Sequence, residues 1–184
     1  MANYLSIVEK NVSDEIIKRC QSGDVSAFKE IYKKYEQPLL RIALRMLGQI
    51  QDAEDAVQTT FIKLYHGIKN YKFSAKFSSY LYRILINVCY DLLGKRKKMN
   101  LQDLDNVEPS YSVDDELKIQ LEAAILTLPE KMRACFVLFA VEEFKQTEIA
   151  EILKLSVGGV KSNIFHAKSK LREMLSKDLK GYVS

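Results

Sequence analysis

Apolar residues recur every three or four positions along most of this chain, and that spacing predicts helices rather than strands. Only seven Gly and three Pro occur in 184 residues, which argues against the many turns of an all-β fold. No apolar run approaches the ~20 residues of a membrane-spanning helix. The chain is therefore predicted to be all-α, soluble and cytoplasmic, with no membrane insertion.

The first part of the chain is predicted to form four helical stretches. The first covers Asp24 to Gln37, and Pro38 is expected to kink the helix or restart it. The second carries Leu39 to Leu47, the third covers about Asp52 to Ile68, and the fourth begins at a cap formed by Ser78 or Ser79. Their expected core faces are Val25, Phe28, Ile31, Tyr32 and Tyr35; Leu39, Leu40, Ala43, Leu44 and Leu47; Ala53, Ala56, Val57, Phe61, Leu64 and Tyr65; Leu81, Ile84, Leu85, Val88 and Leu92.

Residues 99–116 break this periodicity and are rich in Asp, Ser, Asn and Glu. Such a composition is typical of a linker, so the chain divides into a first domain at 1–98, an acidic flexible linker at 99–116 and a second domain at 117–184. When fully extended the linker spans roughly 60 Å, at ~3.3 Å per residue. That exceeds one turn of duplex DNA, about 34 Å, so two tethered domains could contact one duplex more than a turn apart.

The second domain is predicted to be helical again. Helices are expected over Leu117 to Leu126, after Pro129, over Gln146 to Leu153, and from Val157 to about Leu175. Ser156 is a suitable N-cap for the last of these. The expected core face of the last helix consists of Val157, Val160, Ile164, Ala167 and Leu171.

The charge of the chain is unevenly distributed, although its net value is only +4. Residues 69–98 contain eight bases and one acid, residues 99–122 contain one base and seven acids, and residues 144–184 contain eight bases and four acids. Two basic segments suggest two contacts with a polyanion such as nucleic acid. The alternative from charge alone is a set of solvated helix faces.

The strongest local pattern covers Gln146 to Leu171. Two helices joined by a short turn, with the small residue Ala150 in the first and a basic face on the second, are typical of a helix-turn-helix. Lys161 and Lys168 on that face can meet phosphates, while Ser, Asn and His side chains near its amino end can reach base edges. An ordinary helical hairpin with a solvated basic face is the alternative.

A second pattern covers Asn70 to Lys98, where aromatic and basic residues alternate. Single-stranded nucleic acid is bound in this way, with bases stacked on rings and cations along the backbone. The aromatic residues concerned are Tyr71, Phe73, Phe77, Tyr80 and Tyr82. The alternative is that several of these rings belong to the core, because Phe77 and Tyr80 flank an apolar helix.

Catalytic and metal chemistry find little support in the sequence. Cys20, Cys89 and Cys135 have neither zinc spacing nor the pattern of a disulfide framework. His66 and His166 lie in different predicted domains, and no phosphate-binding glycine loop occurs. The sequence therefore predicts no enzyme, no metal site and no cofactor.

These patterns together resemble a known family. Residues 52–61, DAEDAVQTTF, resemble the DAEDxxQxxF signature of region two of bacterial sigma factors, and residues 77–91 resemble FxxWLyrIxxNxxxD. Residues 148–153, EIAEIL, followed by Ser156-Val157-Gly158, are similar to region four. Because only these two regions are present, the chain is identified as a member of the extracytoplasmic-function (ECF) class of the sigma-70 family. The resemblance implies a region two helical bundle and a region four helix-turn-helix.

The resemblance also implies partners and residue roles. The core RNA polymerase, through its β′ clamp helices and its β subunit, would bind Asp52, Glu54, Asp55, Gln58 and Phe61. The single-stranded non-template strand of the −10 element would contact Asn70, Tyr71, Lys72, Phe73, Lys76, Tyr80, Arg83, Asn87, Lys95 and Arg96. The duplex −35 element would contact Ser156, Gly158, Gly159, Lys161, Ser162, Asn163, Phe165, His166, Lys168 and Lys170. An anti-sigma factor is a further partner that the family implies, and the acidic linker would run toward the active centre of the polymerase.

Several positions depart from the family pattern. Tyr80 replaces the usual Trp but retains a ring for stacking. Gly94 replaces a common Arg, and Lys145 replaces the Ser that usually caps the following helix. Gly159, Asn163 and His166 replace Thr, Arg and Arg, so fewer phosphate contacts and an altered −35 preference are expected.

The sequence thus predicts a sigma factor that directs polymerase to promoters and promotes DNA melting. Two alternatives remain open. A stand-alone helix-turn-helix regulator would bind duplex DNA without polymerase, and an interaction protein without DNA binding would only compete for polymerase.

Overall fold

The computed structural model describes residues 12–98 and 116–181, and all regular secondary structure in these ranges is helical, which confirms the predicted fold class. A 3-10 turn, Ile68–Asn70, follows the third helix. The α-helices are α1 Asp14–Gln21, α2 Val25–Leu47, α3 Ile50–Gly67, α4 Phe77–Lys98, α5 Glu116–Thr127, α6 Glu130–Ala140, α7 Gln146–Leu153 and α8 Val157–Gly181. The first four are called the first half here, and the last four the second half. The predicted linker, apart from Glu116, lies outside the described residues.

Asp24 joins α1 to the start of α2. Its carboxylate accepts hydrogen bonds from the backbone N–H of Ser26 at 2.8 Å and of Ala27 at 3.2 Å, as an N-cap does. Arg19 Nε of α1 donates to the same carboxylate at 2.8 Å. The pKa of Asp24 is held well below its usual range by the hydrogen bond from the Ser26 hydroxyl, by the bond from Arg19 and by the bonds from the backbone N–H groups. Helix α1 was not among the predicted helices, because its eight residues are too few for a clear periodic pattern.

Helix α2 runs without interruption through Pro38, so the predicted restart is wrong. Proline removes one backbone N–H from the helix, but residues on both sides of it are held in the core. Tyr35, Leu39 and Ile42 are each almost completely buried. Burial of one continuous apolar face therefore outweighs the lost hydrogen bond. The helix ends at Gly48, which has the left-handed φ of 82° that favours glycine.

Helix α4 begins at Phe77, so neither Ser78 nor Ser79 is its cap. Both serines lie within the first turn and are buried. The start is fixed instead by the Phe77 side chain, which is 2% exposed, and by the bond from the Tyr80 N–H to the Lys76 carbonyl. Lys76 is consequently the residue just before the helix.

The predicted order of helices in the second half is confirmed. Helix α7 covers Gln146–Leu153, and Lys154 with a φ of 53° makes the tight join to α8. Ser156 Oγ accepts a bond from the Gly159 N–H at 3.0 Å, so the predicted cap is present. No side-chain bond caps α7 at Lys145, and the Glu148 carboxylate accepts from the Lys145 N–H instead. Helix α8 extends beyond the predicted end at Leu175 to Gly181.

Some residues assigned to core faces are exposed. Val25 is 70% exposed, Tyr65 53% and Val157 37%, and Tyr32 is also exposed. Val25 and Val157 are the first residues of their helices, where one side has no preceding turn to pack against. Tyr32 and Tyr65 line a groove that is described below.

The two halves pack against one another. Helix α4 contacts α7, and α2 contacts both α5 and α6. Arg133 of α6 is buried and donates from Nη1 to the carbonyl of Met46, near the end of α2, at 2.6 Å. The sequence predicted two tethered halves but not this contact between them.

Candidate protein and nucleic-acid interfaces

A groove of about 800 Å³ runs between α2 and α3 on the surface of the first half. Its floor is aromatic, and the rings pack edge to face: the Phe28 ring lies 5.3 Å from that of Tyr65 and 6.4 Å from that of Phe61. Carboxylates and amides form its rim. The lining residues are Phe28, Tyr32, Glu36, Gln37, Leu40, Glu54, Asp55, Val57, Gln58, Phe61, Ile62, Tyr65 and His66.

Four of the five residues predicted to bind polymerase lie in this groove. Glu54, Asp55 and Gln58 are exposed on its rim, and Phe61 lies buried beneath it. An apolar floor with a polar rim is the usual anatomy of a protein-binding surface. The exposed side chains of Tyr32, Ile62 and Tyr65 extend the apolar area, and none of these three was predicted to be part of the site.

Asp52, the fifth of these residues, faces elsewhere. Its carboxylate pairs with the Arg96 guanidinium from the end of α4. Arg96 Nη1 also donates to the carbonyl of Leu47 at 2.9 Å, so Arg96 spans the turn between α2 and α3. Asp52 was predicted to bind polymerase and Arg96 to bind DNA. In the structure the two side chains instead pair with each other.

The loop between the 3-10 turn and α4 is built around Tyr71. The Tyr71 ring lies 4.9 Å from Phe73, 5.3 Å from Tyr80 and 5.6 Å from Phe77. Its hydroxyl donates to the carbonyl of Ala75 and so closes the loop. The structure thus brings these rings into one cluster, with Tyr71 as its partly buried centre.

Gln21 of α1 fixes the other side of this loop. Its amide nitrogen donates to the carbonyls of Ile68 at 3.0 Å and Tyr71 at 2.9 Å. Sequence reasoning missed Gln21, because a single polar residue at a helix end has no pattern that distinguishes it. Phe73, at the tip, is 37% exposed with a φ of 56°. Its ring is therefore the most exposed of this aromatic cluster.

Phe77 and Tyr82 belong to the core, as the alternative interpretation of the aromatic pattern had it. They are 2% and 3% exposed, and both rings lie near Tyr35. Tyr80 is half-buried, with its hydroxyl close to Gly67. Burial raises the pKa of the Tyr80 phenol, so the ring is neutral in the physiological range.

The polar and basic residues predicted to contact the open strand have different surroundings. The amides of Asn70 and Asn87 and the cations of Lys72 and Lys95 are exposed. Lys76 and Arg83 instead contact α7: Lys76 Nζ lies 2.6 Å from Glu148 Oε1, and Arg83 Nη2 donates to the Glu151 carbonyl at 2.6 Å. Both are thus engaged by the second half.

The outward face of α8 is exposed between Lys161 and Lys170. Lys161, Ser162, His166, Lys168 and Lys170 are exposed there. The Phe165 ring is 70% exposed, next to His166. Apolar side chains in the major groove contact the thymine methyl group, and cations meet the phosphates, so this face has the chemistry of a duplex reader.

The amino end of α8 is shaped by its cap. Ser156 is used in that cap, and Asn163 Nδ2 donates to the Gly159 carbonyl at 2.8 Å, along the helix. A Cβ at Gly158 would meet no atom within 4 Å, whereas one at Gly159 would lie 3.2 Å from Ser156 Oγ. Of the two glycines, only Gly159 therefore has a close neighbour.

The remaining features of the described residues concern metal ligands, membrane helices and cysteine thiols. Among residues 12–98 and 116–181, no group of His, Cys, Asp or Glu side chains could hold a metal ion. The same ranges contain no helix with the length and apolarity needed to cross a membrane. The three cysteines are buried as thiols, and burial raises the pKa of Cys89 to about 12.

Two sequence families match this chain. The family described as Sigma-70 region 2 matches residues 31–99, and the one described as Sigma-70, region 4 matches residues 118–171. The ECF RNA polymerase sigma factor SigW of Bacillus subtilis is 34% identical over 86% of this chain and 94% of its own length. This chain belongs to the ECF sigma factors of the sigma-70 family. Such factors direct RNA polymerase to promoters, and a stand-alone helix-turn-helix regulator is not favoured.

Solved structures support the fold of this ECF sigma factor. CnrH, solved in complex with the cytosolic domain of CnrY, is 26% identical, with a TM-score of 0.71 over 89% of this chain and 97% of CnrH. The sigma factor RpoE of Bartonella quintana, solved with the anti-sigma factor NepR, is 23% identical, with a TM-score of 0.69 over 83% of this chain and 98% of RpoE.

Proposed function

We propose that this sigma factor docks on core RNA polymerase through the groove between α2 and α3. The observation that carries the proposal is the groove itself, which joins an aromatic floor to the exposed side chains of Asp55 and Gln58. The β′ clamp helices are the proposed occupant, and the β subunit a second contact. A coiled-coil partner with apolar and basic side chains would match both parts of the groove.

Promoter DNA is proposed to bind at two separate places. The loop at Tyr71 and Phe73, with Tyr80 behind it, would capture the single-stranded −10 bases by stacking. The exposed face of α8 would read the duplex −35 element. Melting then needs no catalytic group, because binding of unstacked bases offsets the few kcal/mol that unstacking costs.

The remaining assignments follow from the same proposal. Residues 1–98 act as region two, 99–116 as an acidic linker and 117–184 as region four. The chain works in the cytoplasm, has no active site of its own and uses no metal or cofactor. An anti-sigma factor is proposed as a regulatory partner, by analogy with the NepR complex of RpoE.

Charge reversal in the groove tests the docking proposal. Asp55→Lys should weaken binding to core polymerase at least about tenfold, because a rim charge then opposes the partner's basic side chains. Gln58→Ala should weaken it less, since only a polar contact is lost. Binding is measured by titrating labelled full-length factor with core polymerase, and circular dichroism checks that helicity is unchanged.

Glu15→Lys provides the matched control, because Glu15 is exposed on α1 of the same half and lies outside the groove. This variant makes the same change of charge and should bind polymerase like the parent chain. If Asp55→Lys also binds like the parent chain, the groove is not the docking site. Run-off transcription by the parent holoenzyme separately distinguishes a working sigma factor from a protein that only competes for polymerase.

A further inference from the structure

We propose that the free chain closes on itself, with the turn between α6 and α7, residues 141–145, as a plug that holds α7 over Lys76 and Arg83. This inference rests on the strand-binding role proposed above for those two side chains. Its basis is the set of contacts between the halves, which combine a buried ring, a buried carboxylate and two occupied cations.

Phe144 is the apolar part of the plug. It is 2% exposed, and its ring lies 4.9 Å from that of Tyr82 in α4, in an edge-to-face arrangement. The turn that carries it is fixed by its own backbone, since the Phe144 N–H donates to the Leu138 carbonyl at 3.1 Å and Glu143 has a φ of 52°. Phe144 thus enters the first half from a preformed turn.

Glu142 is the charged part of the plug. Its side chain is only 9% exposed, and Arg41 Nη2 of α2 lies 2.8 Å from its Oε1. The Tyr82 hydroxyl donates to its other oxygen at 3.2 Å. A carboxylate buried in this way depends on its partners, and Arg41 and Tyr82 both belong to the first half. Neutralising Glu142 therefore weakens the contact between the halves without removing its bulk.

Lys76 and Arg83, the two cations that contact α7, are the side chains that the closed form withholds from DNA. One carboxylate oxygen of Glu148 accepts from the Lys145 N–H, at the start of its own helix, and the other accepts from Lys76. The Glu151 carbonyl accepts from Arg83. A carboxylate on Lys76 takes the place that a DNA phosphate would take, so the open strand and α7 compete for the same side chains.

The closed form does not block both DNA surfaces. Lys161, Phe165 and Lys168 on α8 remain exposed while Lys76 and Arg83 are engaged. Closure should therefore suppress single-strand binding by the free factor and leave duplex binding unaffected. Separation of the halves on polymerase would release the strand-binding side chains.

The double variant Glu142→Gln/Glu148→Gln tests this proposal in the full chain. Glutamine keeps the size of both side chains and keeps an acceptor for the Lys145 N–H, while the charges on Arg41 and Lys76 lose their partners. Energy transfer between dyes at Lys29→Cys in α2 and Ser169→Cys in α8 reports separation of the halves. A short labelled single-stranded DNA of mixed sequence reports strand binding.

We expect lower energy transfer and an affinity for the single strand that rises about fivefold or more, because apparent affinity scales with the open fraction. Binding to a duplex of the same length should stay unchanged. Glu143→Gln is the matched control, since it removes a neighbouring charge that is exposed, and it should alter neither signal.

Unchanged energy transfer in the double variant would overturn the plug. Lower energy transfer with unchanged single-strand affinity would overturn the competition at Lys76 and Arg83. Adding Lys76→Ala to the opened variant separates this proposal from the proposed function. If single-strand affinity rises on opening but does not depend on Lys76, then the strand-binding role of Lys76 is wrong, whereas the plug is supported by the energy-transfer change.

Discussion

The position of the Tyr80 ring depends on Gly67, which lies beside its hydroxyl. A Cβ added at Gly67 would lie 2.8 Å from Tyr80 Oη, a contact too close to persist. Gly67 has a φ of −93°, so alanine is acceptable to the backbone and only the ring must move. The glycine therefore controls where the Tyr80 ring stands in the aromatic cluster.

We predict that Gly67→Ala lowers holoenzyme affinity for a single-stranded −10 strand several-fold, with little effect on the melting temperature. Stacking is worth ~1–3 kcal/mol per base, and a displaced ring loses part of it. Adding Tyr80→Phe removes the clashing oxygen and should restore most of the affinity. Failure of this rescue would show that the ring is not positioned by Gly67.

Single residues show how far a sequence predicts the position of a side chain. The resemblance of the DAEDAVQ run implied a polymerase surface, which stays a prediction, and three of its polar residues lie on the rim of one groove. The aromatic run could not be sorted in the same way, because rings that stack on bases and rings that fill a core have the same composition. Tyr82 lies in the core and Phe73 on the surface, a difference that only packing decides.

At the scale of elements, different residues of α8 serve its cap and the proposed DNA contact. Ser156→Ala removes the bond from its Oγ to the Gly159 N–H and should cost about 1 kcal/mol of stability. Lys161→Ala should leave stability unchanged but weaken closed-complex binding. The slope of log K against log salt concentration should become shallower by about one. Chemical unfolding and holoenzyme binding to duplex promoter at several salt concentrations measure the two effects.

Ser169→Ala is the control for both, since Ser169 is exposed and makes no capping bond. An unchanged salt slope for Lys161→Ala would remove that lysine from the phosphate contacts. Equal losses of stability in Ser156→Ala and Ser169→Ala would show that the cap contributes nothing.

Helices were more predictable than their boundaries. The period of α7 and α8 and the cap at Ser156 follow from local sequence, which is why they were found correctly. The restart at Pro38 was wrongly predicted because local propensity opposes a helix there, whereas the long apolar face of α2 favours one. Tertiary packing decides such cases, and it cannot be seen in a window of a few residues.

At the scale of the whole molecule, the division into two halves was predicted and their packing was not. Arg41 and Glu142 are 101 residues apart, and neither lies in a recognisable motif. Charge complementarity between the halves nevertheless has a basis in composition. Two bases of residues 69–98 pair with acids of the second half: Lys76 with Glu148 at 2.6 Å and Lys97 with Glu130 at 2.7 Å.

The acids of the linker belong to the same scale, because they are proposed to act only when the two halves are engaged on polymerase and promoter. An acidic segment in a basic channel imitates a nucleic-acid strand, so its charge should matter for initiation and little for assembly. Replacing Asp103, Asp105 and Glu108 by Ser should leave core binding within about twofold and reduce abortive and full-length RNA synthesis several-fold. Replacing Gln102 and Asn106 by Ser changes the same segment without changing its charge and should have no effect. Both variants are compared by core titration and by run-off transcription, and equal transcription from the two would reduce the segment to a passive tether.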